Sequence, residues 1–388
     1  MTLAPLVVVQ YSAYWIKLTE SWLYRQVASL PDRIETHVVC ERLVDGGAYP
    51  VAHLHYLGQV PGPARYLDRA ARRLRLRRHL AFPVRVAKSC RARVLHSHFG
   101  QVGWGNIGLA REAGVKHVVS FYGTDATRLP EIDGRWIVRY AELFAAADAV
   151  LCEGPAFRES LRVLGCSPAK LRIQPLGVAV RDIPFVPRSR EPREQVRILI
   201  AGTFQEKKGI PDAIAALGEA QRRGIDLTLT IAGEATREKR SIAEKGRIIA
   251  ALHTEGLMAR TRLLGYIPAR VLREESYRHH LFLSPSKKAA DGDAEGGAPV
   301  TILEMAATGL PVVSTRHCDI PSIVKDGVTG LLADEGDVSA LSDHVVTLAR
   351  DPELADRMGR AGRLLVESKH DSSVLAESLA AIYLGVAG

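Results

Sequence analysis

Short runs rich in Val, Ile and Leu alternate with longer stretches of helical periodicity along the whole chain, and this alternation restricts the fold more than any other feature. A short apolar run without polar interruption has to bury both of its faces, as a strand does inside a parallel sheet covered by helices on both sides. Repetition of strand–helix–strand units therefore predicts an α/β fold of doubly wound parallel sheets. In the first half, strands are expected at Leu6–Tyr11, Thr36–Cys40, Ala52–Tyr56, Val94–His98, Val118–Tyr122, Ala149–Cys152 and Leu171–Gln174. In the second half they are expected at Val196–Ala201, Leu227–Ala232, Arg262–Leu264, Leu281–Ser284 and Pro311–Ser314. Between the two sets, residues 179–195 carry three prolines and seven charges. Proline removes helical options from the residue before it, so this segment is expected to link two domains. The expected organisation is one domain over residues 1–180, a linker over 181–195, a second domain over 196–370, and a final helix over 371–388.

The formal net charge of +9 on 388 residues would suit a polyanion-binding protein if it were spread out. It is not: residues 65–93 hold ten arginines and Lys88 against the single acid Asp68, and the remainder is close to neutral. Leu67, Ala70, Ala71, Leu74 and Leu80 recur among these arginines at roughly helical spacing. That pattern fits a basic amphipathic helix on an anionic membrane, with Arg72, Arg73, Arg75, Arg77 and Arg78 as contacts. The alternatives are a solvated arginine-rich face or an acidic acceptor. The scarcity of interleaved aromatics disfavours nucleic acid as a partner. Five cysteines, odd in number and without a C-x-x-C pair, argue against a disulfide framework and suit a reducing cytoplasm. The apolar run Leu6–Val9 has no basic residue before it and is expected to be a strand, not a signal peptide. No window reaches the length of a membrane-spanning helix, so any membrane contact is expected to be peripheral.

The densest chemical signal is DGDAEGGAPVTILEMAATGLPVVST, residues 291–315. A glycine-rich loop ends at Pro299, a residue favoured in first helical turns, and an apolar helix follows until Gly309. The free N–H groups of such a helix start form an anion site. Glu295 on the loop and Glu304 on the helix would repel a phosphate but accept hydrogen bonds from hydroxyls. A phosphate flanked by polyols outlines a nucleotide sugar; the bland alternative is an ordinary loop and helix with two solvated acids.

This segment resembles the E-x7-E signature of retaining family 4 glycosyltransferases, which have the GT-B fold, two doubly wound Rossmann-like domains with a cleft between them. DGVTGLL (Asp326–Leu332) is also similar to that family, GTFQEKKG (Gly202–Gly209) to its diphosphate loop, and LLGYIP (Leu263–Pro268) to its base-binding turn. SHFG and SFYGTD resemble its acceptor-domain motifs, and KLTESWLYRQV, with Thr19 and Glu20, resembles bacterial cell-surface polysaccharide enzymes. The resemblance implies that Glu304 accepts from ribose hydroxyls and Glu295 from the donor sugar. It also implies that the N–H groups of Val300 and Thr301, after Gly296, Gly297 and Pro299, meet the diphosphate with Lys208, beside Gly202 and Thr203. Tyr266 and Ile267 would bracket the base. His98, Asp125, Lys208 and Glu295 are the implied catalytic groups, and Thr19, Glu20, His98 and Tyr122 the acceptor side. The implied reaction moves a sugar from a UDP-, GDP- or ADP-sugar to a saccharide or lipid-linked saccharide, without metal or further cofactor, in the cytoplasm or on the inner face of the plasma membrane.

Three departures from the family pattern stand out. Glu295 to Glu304 is one residue longer than the signature, and the extra residue falls among Gly296, Gly297 and Ala298, where glycine can absorb it. Thr203 stands where the family usually has arginine, and a hydroxyl cannot replace a bidentate guanidinium. Tyr122 stands where the family often has histidine, and a phenol is a poor general base at neutral pH. These last two also motivate a homologue that binds nucleotide sugars but has lost transfer. His96 and His98 share a strand face but have no third ligand nearby in sequence, so no metal site is expected. Gly103–Gly108 satisfies G-x-G-x-x-G, with Asp125 after the next strand, which motivates an NAD(P)-dependent oxidoreductase as an alternative. Asp291-Gly292-Asp293 lacks a strand directly before it and is expected to be a solvated loop.

Overall fold

A computed structural model describes residues 4–16, 20–44, 49–191 and 194–388. The chain forms two units, residues 1–177 with 372–388, and residues 178–371.

The first unit is built on β1 (Leu6–Trp15), β2 (Ile34–Leu43), β3 (Leu54–Tyr56), β4 (Val94–His98), β5 (Lys116–Ser120), β6 (Ala149–Cys152) and β7 (Leu171–Ile173). They form a parallel sheet in the order β3-β2-β1-β4-β5-β6-β7. Alternate residues of the central strands enter opposite cores. Val8, Val94 and Val118 pack against Leu379, Ala380 and Tyr383 of helix Ser372–Ala387, whereas Val9 and Leu95 pack against Leu80, Phe82 and Val84. The uninterrupted apolar runs thus reflect burial on both faces.

The second unit holds β8 (Val196–Ala201), β9 (Leu227–Ala232), β10 (Thr261–Gly265), β11 (Leu281–Ser284), β12 (Val312–Thr315) and β13 (Gly330–Ala333), parallel in the order β10-β9-β8-β11-β12-β13. Ile198, Ile200 and Ile231 face one core; Leu199, Phe282 and Val312 face the other, beside helix Val300–Thr308. The order reverses direction at β8, so the loop after β8 and the one after β11 diverge from the switch point where open parallel sheets bind ligands.

Several expectations need correction. β13 was not foreseen, because a four-residue strand carries little pattern of its own. Residues 181–195 are not a free linker. Val178, Val180 and Ile183 are buried in the second unit's core, and Arg363 Nη1 donates to the Ile183 carbonyl at 2.6 Å. Arg188 is 5% exposed, its guanidinium lying 5.2 Å from the Tyr277 ring centre. Pro184 and Pro187 keep their stretch of chain out of helix, while Ile183 is buried and Phe185 half-buried. Among the described residues, no helix is long and apolar enough to cross a membrane.

Candidate active site

In the second unit, β8 runs out into Gly202 and Thr203, and a short turn over Glu206–Lys208 leads to helix Ile210–Arg222. Gly209 makes that turn possible: its φ is +60°, and a Cβ there would sit 2.0 Å from the Pro285 carbonyl oxygen. The turn aims Lys208 at Glu295, with Nζ 2.7 Å from Oε1 and the two side chains 19% and 7% exposed. Ser286 Oγ donates to the same carboxylate oxygen at 2.9 Å, while the Glu295 N–H donates to His317 Nε2 at 3.2 Å. His317 is held from behind by Glu335, 2.6 Å from its Nδ1. Burial pushes the Glu295 carboxyl up, but the charges of Lys208 and Lys207 and the Lys208 hydrogen bond outweigh that and hold it below the ordinary carboxylate range.

The loop continues through Gly296, whose φ of +77° lies in the left-handed region that favours glycine. Pro299 is the N-cap of helix Val300–Thr308 and not its first residue, and its ring makes no capping hydrogen bond. The N–H groups of Val300 and Thr301 therefore lie in the first turn, where the helix dipole favours an anion. Glu304, one of the helix's buried residues, has Oε1 4.0 Å from Arg273 Nη1. Ile267 packs with Ala298 and Val300 against one core cluster, and Tyr266 beside it is 41% exposed. Lys208, Glu295, the helix start, Glu304 and the Tyr266–Ile267 turn thus occur together in one unit. Asp293 is not part of a solvated D-x-D. It is 1% exposed and ties the loop down through Lys207 Nζ at 3.1 Å and Arg240 Nη1 at 2.8 Å.

In the first unit, a buried polar chain runs beneath the C-terminal ends of β1 and β4. His96 Nε2 donates to Ser120 Oγ at 2.7 Å, and the Tyr383 hydroxyl, 2.7 Å from His96 Nδ1, accepts from Gln10 Nε2 at 2.9 Å. His98 Nε2 donates to Gln10 Oε1 at 3.1 Å and its Nδ1 accepts from the Tyr122 hydroxyl at 2.7 Å. Burial lowers the His98 pKa to about 3 and that of His96 well below its usual value, so both rings are neutral. Burial likewise pushes the Tyr122 hydroxyl well above its ordinary range. Trp22 lies against Tyr122, ring centres 4.5 Å apart. Glu20 is the N-cap residue of helix Ser21–Ala28, and Thr19 lies outside the described residues.

Both groups of this unit expected to be catalytic are buried within such contacts. Asp125 is buried and accepts from the N–H groups of Gly100, Tyr122 and Gly123 at 2.8, 3.0 and 3.0 Å. Burial raises its pKa to about 6, and its carboxylate joins the start of helix Gly100–Ala113 to the turn after β5. Both ring nitrogens of His98 are engaged within this unit, by Gln10 and Tyr122. The G-x-G-x-x-G run is no dinucleotide loop: it lies inside helix Gly100–Ala113, where Gly103 makes room for Val119 and Gly108 for His79.

The arginine-rich stretch is also rearranged. Its helix spans only Gly62–Arg73, and Leu80 is fully buried instead of continuing the apolar stripe. Asp68, the lone acid, caps the next helix by accepting from the Phe82 N–H at 3.0 Å. Arg72 Nη2 donates to Glu41 at 2.8 Å and Arg78 Nη1 to Glu142 at 2.7 Å, so two of the five contact candidates are already paired. Arg73 and Arg75 are exposed and Arg77 is half-buried, beside a strongly exposed apolar set, Tyr66, Leu67, Leu74 and Leu76.

The sequence did not single out Ser286, His317, Trp22, Gln10 or Tyr383. Tyr383 lies 287 residues from its partner His96, and no local pattern reports such pairings.

Two family models match the chain: Glycosyltransferase Family 4 over residues 19–182 and Glycosyl transferases group 1 over residues 184–365. The amylovoran biosynthesis glycosyltransferase AmsK of Erwinia amylovora is 30% identical over 69% of this chain and 63% of its own length. The "Putative colanic acid biosynthesis glycosyltransferase WcaL" of Escherichia coli K12 is 30% identical over 76% of this chain and 71% of its own. The chain thus spans less than two thirds of AmsK. Among solved structures, Anabaena HepE in complex with UDP and glucose has a TM-score of 0.77 at 15% identity, covering 98% of this chain and 100% of that one. The sucrose-phosphate synthase of Thermosynechococcus elongatus has a TM-score of 0.75 at 18% identity, covering 98% and 99%. The oxidoreductase alternative is overturned, by these likenesses and by the helical setting of Gly103–Gly108 alike. With two doubly wound parallel sheets and both family models matched in tandem, the chain belongs to the family 4, group 1 glycosyltransferases of GT-B fold.

Proposed function

We propose that the protein is a retaining, metal-independent glycosyltransferase that moves a sugar from a nucleotide donor to an acceptor hydroxyl in bacterial cell-surface polysaccharide or glycolipid assembly. The observation that carries the reading is the buried Lys208–Glu295 pair on the loop that leads into helix Val300–Thr308. A cation and a row of N–H groups suit a diphosphate, and a carboxylate held below its ordinary pKa suits sugar hydroxyls. In this reading Lys208 leaves Glu295 for the diphosphate when the donor binds, Glu304 accepts from the ribose and Tyr266 and Ile267 cover the base. The sugar C1–phosphate bond breaks on the face where the acceptor oxygen bonds to C1, and the departing diphosphate takes the acceptor proton. Lys208 and the N–H groups of Val300 and Thr301 stabilise the charge on that leaving group. Thr203 supplies no charge, which concentrates this task on Lys208. Tyr122, Trp22 and Glu20 contribute to acceptor binding by the first unit. A lipid-linked acceptor fits the exposed Tyr66, Leu67, Leu74 and Leu76 among arginines, a face suited to anionic membrane.

The names of the relatives support the polysaccharide setting: AmsK is an amylovoran enzyme and WcaL a colanic acid one. Solved HepE structures with UDP and with UDP-glucose support a nucleotide-sugar donor. Thermal shifts with UDP, GDP, ADP and NAD(P), followed by NMR of the anomeric product in the presence of EDTA, test the proposal. Stabilisation by a nucleoside diphosphate and a retained anomeric configuration are expected; stabilisation by NAD alone, or a strict need for added divalent metal, overturns it. Nucleotide binding without donor hydrolysis or transfer would favour the homologue that has lost transfer.

A further inference from the structure

Away from both sets of residues, the edge of the first sheet gathers a cluster of metal-ligating side chains. Glu35 and His37 are two apart on β2, so their side chains project to the same face. His53 directly precedes the edge strand β3 and His55 lies on it, and the register that pairs Val39 with His55 brings the two segments alongside. His37 is 8% exposed. It lies in near-parallel stacks with His53 and His55, ring centres 4.4 and 5.3 Å away. Its Nε2 is 2.9 Å from Glu35 Oε1 and its Nδ1 is 3.0 Å from His55 Nε2. One donor atom from each of Glu35, His37 and His53 falls within 4.8 Å of the other two.

We propose that Glu35, His37 and His53 bind one divalent transition metal ion of the zinc class, with His55 as a positioning residue. Bonds of about 2.0–2.1 Å in tetrahedral geometry need donor atoms roughly 3.3 Å apart. His53 is exposed and can turn to close that gap. Imidazole and carboxylate donors together select zinc and its neighbours over calcium or magnesium, which take oxygen ligands. Water completes the fourth position. The other nitrogen of a metal-bound histidine is characteristically held by a second partner, and His55 Nε2 stands in that place for His37.

Binding moves protons without changing their number. In the free protein His37 Nε2–H donates to Glu35, and His55 Nε2–H donates to His37 Nδ1. With metal on His37 Nε2, the His37 proton sits on Nδ1 and donates to His55 Nε2, whose own proton moves to Nδ1. Glu35 and His37 lie at the start of β2, whereas parallel sheets bind substrates beyond their C-terminal ends. The ion therefore fastens the short edge strand to its neighbour and takes no part in sugar transfer. The absence of metal expected from the sequence rested on His96 and His98; the pattern E-x-H followed by H-x-H shows its meaning only once β2 and β3 lie side by side.

The test uses full-length protein without a histidine tag, stripped with chelator and dialysed, then titrated with ZnCl2 by calorimetry and with Co²⁺ by visible absorption. One Zn²⁺ per chain with micromolar or tighter affinity and the d–d bands of tetrahedral Co²⁺ are expected. His53→Ala, a change at an exposed position, and Glu35→Gln should each weaken binding by roughly tenfold or more, and His55→Phe by about tenfold. In ¹⁵N-resolved spectra Zn²⁺ should switch His37 from the Nε2–H to the Nδ1–H tautomer. No saturable Zn²⁺ binding up to millimolar, unchanged affinity in both His53→Ala and Glu35→Gln, or an unmoved His37 tautomer overturns the assignment.

Discussion

Replacing Lys208 by methionine isolates the energetics of the donor site without any substrate. Glu295 is 7% exposed, so the variant leaves a buried carboxylate with Ser286, the more distant Lys207 and His317 to offset its desolvation. Breaking a buried pair by removing one partner costs about 3–5 kcal/mol. The 19% exposure of Lys208 and the surviving Ser286 bond bring this case toward about 2–3 kcal/mol. For a unit of this size that is a fall in Tm of about 4–12 °C. Glu295→Gln should cost only about 1 kcal/mol, because an amide oxygen still accepts from Ser286 and Lys208 still reaches water. The two changes should not add: in the double variant the stranded charge is gone, leaving a coupling of about 1–2 kcal/mol. The pH dependence supplies a second check. In the wild type Glu295 has a depressed pKa, so its contribution is present above the unfolded-state carboxylate pKa and is lost as pH falls through the lower folded value. In Lys208→Met the unpaired carboxyl is raised instead, and its penalty is relieved as acid protonates it. The gap between the two proteins should therefore shrink from pH 7 to pH 4. Urea unfolding of the four proteins at several pH values measures all of this. Equal and additive losses, or a gap that widens in acid, refute the reasoning.

Tyr383→Phe removes the hydroxyl shared by His96 and Gln10 and should cost about 2–3 kcal/mol in denaturant unfolding while leaving nucleotide affinity unchanged. Because burial raises the Asp125 pKa to about 6, stability of the first unit should decline as pH rises from near 4 through about 6. Asp125→Asn, destabilised by losing one of its two acceptor oxygens, should lack that decline, as unfolding curves across this range will show. Serine at Arg73, Arg75 and Arg77 should weaken sedimentation with anionic liposomes by roughly 1 kcal/mol per charge and leave UDP binding intact. Serine at the Glu41-paired Arg72 should instead lower stability.

The strand units were legible because an unbroken apolar run has only one comfortable setting, a sheet covered on both faces. The residues of the proposed donor site could be read together for a related reason. Glu295, Pro299, Val300, Thr301 and Glu304 occupy one continuous loop and helix, where sequence spacing is nearly spatial spacing. The three backbone N–H groups that Asp125 accepts from were not legible, because two of them belong to one turn and the third to a helix start 25 residues earlier. Gly103–Gly108 misled because small residues for helix packing and small residues for a phosphate loop are written with the same letter. The arginine stretch misled by one turn of helix: Leu74 caps the helix end, and Leu80 belongs to the core.

By itself the sequence determined the α/β architecture, the two sheets and the confinement of the basic excess to residues 65–93. Only the tertiary structure decided that Lys208 is held by Glu295, that His98 and His96 are neutral members of a chain closed by Tyr383, and that Glu35, His37 and His53 meet at a sheet edge. Periodicity and turn chemistry act between near neighbours, so they can be read along the chain. Ion pairs, desolvation and ligand sets depend on distances across the fold, which the order of residues does not carry until the strands have paired.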